Sequence, residues 1–257
     1  MLLPPDIGLP CDIWEHLPLG AALERVAEYA ELSEIYSGDG HTLLSAENRR
    51  AARESGLRLT VHGPWEDLEP AATSERRRRR SVAEHRRHLE AAAEIGAVRY
   101  VAHPDYDEGR RKRDARSLAA LERTLEDLAG LQAELGVPVV VENMPGSGTS
   151  HFNAPGDLDL GALGFVLDTG HAAITGVLHD FLFASQARLQ HVHLHDNRGP
   201  ADAADPHGTL GTGVVDARLV LAAARAAQAT VILELLDERS VRDSIAHLRA
   251  RGLIPGD

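Results

Sequence analysis

The sequence predicts a single (β/α)8 TIM barrel, on three observations. Its 257 residues match the usual size of such a barrel and lie near the upper limit for one core. Short apolar runs alternate with longer helical patterns from one end to the other. Gly56, Gly96 and Gly136 each stand between a helical pattern and the next apolar run, where helix C-caps fall.

The strands are predicted in order at Asp6–Leu9, Leu32–Tyr36, Leu57–His62, Val98–His103, Val137–Glu142, Gly164–Asp168, Gln190–His195 and Thr230–Leu235. Between them apolar residues recur at helical spacing, as at Leu118, Leu121, Leu125 and Leu128. Strands alternating with helices imply a parallel sheet with right-handed crossovers. An open doubly wound sheet is the alternative, but no Gly-x-Gly-x-x-Gly turn follows an early strand to support it. No linker divides the chain, so residues 1–257 are expected to form one domain. Pro145–Pro155 and Gly199–Gly213 read as long loops after strands. The run Arg76–Arg80, with Glu75, Glu84 and Glu90 nearby, reads as a solvated helix face.

Composition removes several classes of function. No run of eighteen apolar residues could span a membrane, and the N-terminal residues carry neither a basic region nor a long apolar region. A soluble cytoplasmic protein is expected, with its oligomeric state left open. The single cysteine, Cys11, excludes an internal disulfide framework and a cysteine-based zinc site. The net charge of −12 weighs against broad nucleic-acid binding. Fourteen histidines accompany only 4 Phe, 2 Trp and 4 Tyr, and histidine is the commonest metal ligand.

Position gives those histidines meaning. The later strands end in turn on His62, His103, Glu142, Asp168, His193 and Glu234. In a barrel the C-terminal strand ends and the loops that follow them form the active-site rim. Any one such residue could simply cap a loop or meet solvent. Together these carboxylates and imidazoles would be costly to bury unless a cation neutralised the acids, so a divalent metal is expected. His171 follows the sixth strand, and Asp205 and His207 precede a glycine-rich return. His191, His193 and His195 share one strand face, but His191 lies about 6–7 Å from His193 at ~3.3 Å per residue. His193 is therefore assigned to metal, His195 to the substrate rim and His191 to packing. Trp14 is also assigned to substrate. His16, His85, His88, His179 and His247 are read as surface residues.

The ordered set His62-Gly63-Pro64, His103-Pro104, Glu142-Asn143, Asp168-Thr169-Gly170-His171, His193-Leu194-His195-Asp196, Asp205-x-His207 and Glu234 resembles the xylose isomerase-like TIM-barrel superfamily. That group includes sugar and sugar-phosphate isomerases and epimerases, and the endonuclease IV (AP endonuclease family 2) enzymes. The epimerase resemblance implies one Mn, Co or Mg ion held by Glu142, Asp168, His193 and Glu234. Glu142 and Glu234 would move a proton through an enediolate, with His171 orienting the substrate. His62, His103, His195 and Arg198 would then contact a sugar or sugar phosphate. The endonuclease IV resemblance implies a zinc cluster instead. His62, His103 and Glu142 would hold one ion, and Glu142, Asp168, His193 and Glu234 a second. His171, Asp205 and His207 would hold the third. Isomerase or epimerase chemistry is the first expectation here, favoured by the acidic charge and by small or acidic rim loops. Cleavage of DNA at abasic sites is the alternative, with Arg110–Arg113 as phosphate contacts.

Overall fold

A computed structural model describes residues 2–105, 113–146, 150–184, 187–202 and 204–256. Eight strands close into a barrel in chain order: β1 (Ile7–Pro10), β2 (Leu32–Tyr36), β3 (Arg58–His62), β4 (Arg99–Ala102), β5 (Val139–Glu142), β6 (Gly164–Asp168), β7 (Leu189–Leu194) and β8 (Thr230–Leu233). Neighbouring strands are parallel throughout, and β8 closes on β1 through Ile7 opposite Val231. The helices are α1 (Leu19–Ala27), α2 (Ala46–Glu54), α3 (Glu75–Glu94), α4 (Ala115–Leu135), α5 (Thr169–Thr175), α6 (Leu178–Ala184), α7 (Ala217–Ala227) and α8 (Glu238–Ala250). Strand and helix do not alternate strictly. Among the described residues no helix separates β5 from β6, and two follow β6. No helix of the described residues is long and apolar enough to cross a membrane.

Strand periodicity sorts the core into two layers. On β5, Val139 and Val141 face outward into the main core beneath the helices. Val140 faces inward and meets Val101 and Val166 in a small cluster inside the barrel. Each such fully buried side chain contributes about 1.5–3 kcal/mol. The other side of the interior is polar, with Glu34, Thr60 and His191 buried there.

Three histidine and arginine positions differ from expectation. His85 and His88 are buried, because α3 turns its Ser81, His85, His88, Leu89 and Ala92 stripe toward the barrel. His85 pairs with the Tyr100 hydroxyl at 3.0 Å and His88 with Ser37 at 2.8 Å. Burial pushes His85 down to about 4, so it is neutral at ordinary pH. Within the basic run, Arg78 is also buried and bridges Glu75 and Asp127, while Arg79 is exposed as expected.

Candidate metal centre

The strand ends converge as the topology requires. Glu142 closes β5, and its Oε2 lies 3.5 Å from His62 Nε2, 3.4 Å from His103 Nε2 and 3.3 Å from His193 Nδ1. Glu234, one residue past β8, is anchored by its N–H to the Leu194 carbonyl. Its Oε2 lies 3.3 Å from the same His193 Nδ1. Asp168 ends β6 and caps α5, using Oδ1 to accept from the His171 N–H. Its Oδ2 faces His193 Nδ1 at 3.8 Å. His171 donates from Nδ1 to the Asn143 carbonyl, which leaves Nε2 directed at Asp205, 3.9 Å away.

The loop after β7 completes the cluster. Asp196 holds that loop, its carboxylate accepting the N–H groups of Asn197, Gly211, Gly213 and Val215. Asp205 Oδ2 lies 2.8 Å from His195 Nε2, and the His195 and His207 rings stack at 4.3 Å. Gly170 makes this approach possible. A Cβ there would stand 2.0 Å from His195 Nε2 and 2.4 Å from Asp205 Oδ2.

Glu34 on β2 was not singled out in the sequence, yet it supports the centre from below. Its Oε1 lies 2.9 Å from His193 Nε2, a carboxylate on the side of the ring away from Nδ1, as in a metal-ligating histidine braced by an outer carboxylate. Its Oε2 meets His191 Nε2 at 3.0 Å and the Thr60 hydroxyl at 2.9 Å. His191 is thus more than packing, because it braces the carboxylate that orients His193. Burial opposes the Glu34 charge, but His193 and His191 hold its carboxyl well below the usual range. Glu34→Gln is expected to weaken metal binding about 10–100-fold while preserving the fold. Chelator competition beside circular dichroism would check this, and unchanged affinity would remove Glu34 from the role.

The donor set fits divalent ions. Buried Glu142 Oε2, Asp168 Oδ2, His193 Nδ1, His195 Nδ1, His207 Nδ1 and Glu234 Oε2 have no hydrogen-bond partner among the described residues. Natural proteins rarely leave such atoms bare. Three-residue sets within reach of one ion include His62-Glu142-His193, Asp168-His193-Glu234, Glu142-Asp168-His171 and His195-Asp205-His207. Imidazole-rich sets of this kind suit zinc, and the carboxylates also suit manganese or magnesium.

Retained protons partly offset the crowded carboxylates. Burial raises Asp168 well above the carboxylate range, with Glu234, Glu142 and Asp205 adding to it against His171. Burial opposes a charged His171, yet Asp168, Glu142 and Asp205 outweigh it and lift the imidazole to about 10. Both Asp168 and His171 are therefore biased toward their protonated forms in the metal-free protein. Burial raises Glu234, but His193, His207 and His195 bring it down to about 2. A histidine raised from 6.5 to about 10 binds a proton in the folded but not the unfolded chain across that interval. Metal-free protein should accordingly lose thermal stability as pH rises from 6.5 to 10. Metal uptake in the same window should release protons and strengthen with pH. Melting curves, with calorimetry in buffers of different ionisation heat, test both trends; a flat midpoint and no proton release would contradict them.

Above the cluster lies a cavity of about 650 Å³, lined by His62, His103, Glu142, His171, Asp205, His207, Glu234 and Trp65 among others. Trp65 stacks on His103 at 5.8 Å. No lysine or arginine is among the described residues that line it. A side arm of about 250 Å³ is acidic, with Asp12, Glu15, Asp39 and Glu66 joining Glu34 and Glu234.

Other substrate assignments do not reach this cavity. Trp14 is a core residue stacked on Tyr29 at 6.3 Å, because the turn after β1 folds it inward under Arg25. Arg198 is 74% exposed and is held by Asp202 at 2.6 Å. His195 is fully buried, since β7 ends at Leu194 and Thr169 ties down the His195 backbone. Residues 110–112 of the basic loop, and Ser147 and Gly148, lie outside the described residues. Arg113 is directed at Asp105, 3.6 Å away.

Fold and site thus define an α/β barrel with metal-competent donors clustered at its C-terminal rim. Residues 27–251 match the family described as xylose isomerase-like TIM barrel, and the chain belongs to that family. It is 33% identical over 258 aligned positions to a probable endonuclease 4 of Mycobacterium marinum, covering 91% of this chain and 94% of that protein. A D-tagatose 3-epimerase-like protein superposes with a TM-score of 0.83 at 26% identity, covering 95% of this chain and 96% of the other. Endonuclease IV from Thermus thermophilus superposes with a TM-score of 0.66 at 20% identity, covering 97% and 98%; this likeness concerns the fold alone.

Proposed function

We propose that the chain is a zinc-dependent phosphodiester hydrolase of the endonuclease IV kind, with a centre holding more than one ion. The carrying observation is that Asp205 and His207, which a single-ion sugar site does not require as ligands, open into the same cavity as His171, Glu142 and Glu234. The identity with a probable endonuclease 4 across nearly the whole chain supports the reading. So does the position of Arg198 outside the cavity, which takes away a cation expected to hold a sugar hydroxyl or phosphate.

His62, His103 and Glu142 would hold one ion, Glu142, Asp168, His193 and Glu234 a second, and His171, Asp205 and His207 a third. Bound there, such ions would polarise a phosphoryl oxygen and acidify an attacking water. The chain's own residues do the remaining work. Glu142 offers both oxygens, with Oε2 toward His62, His103 and His193 and Oε1 3.3 Å from His171. Trp65 gives the cavity an apolar wall against which a sugar or base can lie.

The acidic side arm favours a second reading, a divalent-metal sugar epimerase, because it suits hydroxyl groups and repels a phosphate backbone. One experiment separates the two. Protein purified without added metal is analysed for metal content, then assayed on an abasic duplex, on a small phosphodiester, and on ketoses in D₂O with Mn²⁺. Two or three zinc ions per chain with strand nicking support the hydrolase. One ion per chain, no phosphodiester cleavage, and deuterium on the carbon beside a ketose carbonyl would replace it with the epimerase.

A further inference from the structure

At the opposite, N-terminal end of the barrel a cavity of about 300 Å³ is lined by Arg58, Arg99 and Arg225, with Asp6, Gln228 and Thr230. Three guanidinium groups thus face one carboxylate in a protein of net charge −12. Many other arginines are matched by acids, as Arg25 is with Glu238, Arg53 with Glu94 and Arg86 with Glu134. These three are not paired with an acid among the described residues. Arg58, first residue of β3, donates one bond to the Pro5 carbonyl at 2.8 Å. Arg225, near the end of α7, donates one to the Leu253 carbonyl at 2.5 Å. Arg99, first residue of β4, has a buried Nε with no hydrogen-bond partner among the described residues. Burial, then the neighbouring Arg58 charge, lowers its pKa. Three guanidinium groups gathered around one carboxylate keep an excess of positive charge, repel one another and lose hydration, which an anion between them would reverse.

We propose that this cavity is a binding site for a small dianion of the phosphate class, either inorganic phosphate or a phosphate monoester. The guanidinium forks present N–H pairs that match phosphate oxygens two at a time. Gln228 adds an amide at the rim. Thr230, at the cavity wall, contacts His191 at 2.6 Å, and His191 reaches Glu34 beneath His193. The site is therefore separate from the metal centre and joined to it by a buried polar chain.

The test uses full-length, metal-loaded protein titrated calorimetrically with inorganic phosphate and with glycerol phosphate, beside Arg58→Gln, Arg225→Gln and Arg99→Met. Phosphate that binds at the metal centre persists in all variants, so the difference from wild type reports the second site. Loss of one binding event, or at least a tenfold weakening of it, with unchanged metal content is the expected result. Whether the ester or the free anion binds tighter in the wild type but not in the variants identifies the source. Arg58 and Arg225 are exposed, so these two variants decide the matter even if Arg99→Met fails to fold. Identical phosphate binding in wild type and both surface variants would overturn the proposal, as would displacement of phosphate by equimolar chloride.

Discussion

Glu142→Gln is expected to cut turnover by about three orders of magnitude, on the scale that follows loss of a key electrostatic group. The substitution keeps size and shape but removes a carboxylate that faces His62, His103, His171 and His193 together. Burial disfavours that charge, and His193 and His103 nevertheless hold it well below the usual carboxylate range. An amide cannot draw the imidazoles together or offer a cation the negative charge that the carboxylate would. Metal content should fall with activity, while circular dichroism stays that of the wild type. Activity within tenfold of wild type would show that Glu142 is not central to the chemistry.

If the centre is that of the proposed hydrolase, the double variant Asp205→Ala, His207→Ala should lose one ion per chain and most phosphodiesterase activity, while retaining the ions nearest Glu142. These two residues stand at the cavity edge on a loop held mainly by Asp196, so truncating them leaves the loop's anchor in place. Metal analysis of the dialysed variant gives the count directly. An unchanged count with activity preserved on ketoses would favour the epimerase, where Asp205 and His207 touch substrate alone.

Much of this architecture is legible because barrel topology converts strand order into position. Once eight strands are read in order, their ends must meet at one rim, and His62, Glu142, Asp168 and His193 lie there as expected. Boundaries shift slightly: β4 stops at Ala102 and β8 at Leu233, so His103 and Glu234 stand just beyond their strands. Glu34 escaped notice because its partner His191 is 157 residues away, and a lone acid inside an early strand carries no local signal. His85 and His88 carried one. Their spacing with Ser81, Leu89 and Ala92 marks an inward helix face, masked by the surrounding arginines. Trp14 and Arg198 were misplaced for a different reason: loop conformation decides where they point, and strand order does not.

The acidic side arm bears on how the protein acquires its ions. Asp12, Glu15, Asp39 and Glu66 stand at the entrance while the better ligands lie deeper. The cleft around Asp12, then the charges of Glu234 and Glu34, push its carboxyl up to about 6. Such crowding creates a negative field that enriches divalent cations at the entrance before any of them meets an imidazole. The arm would then work as a loading vestibule, handing ions from exchangeable carboxylates to the fixed histidines beneath. Uptake should be fast at low ionic strength and slow sharply as added salt brings the Debye length below about 10 Å, whereas the ions already seated in the buried cluster should leave at a rate that salt barely changes.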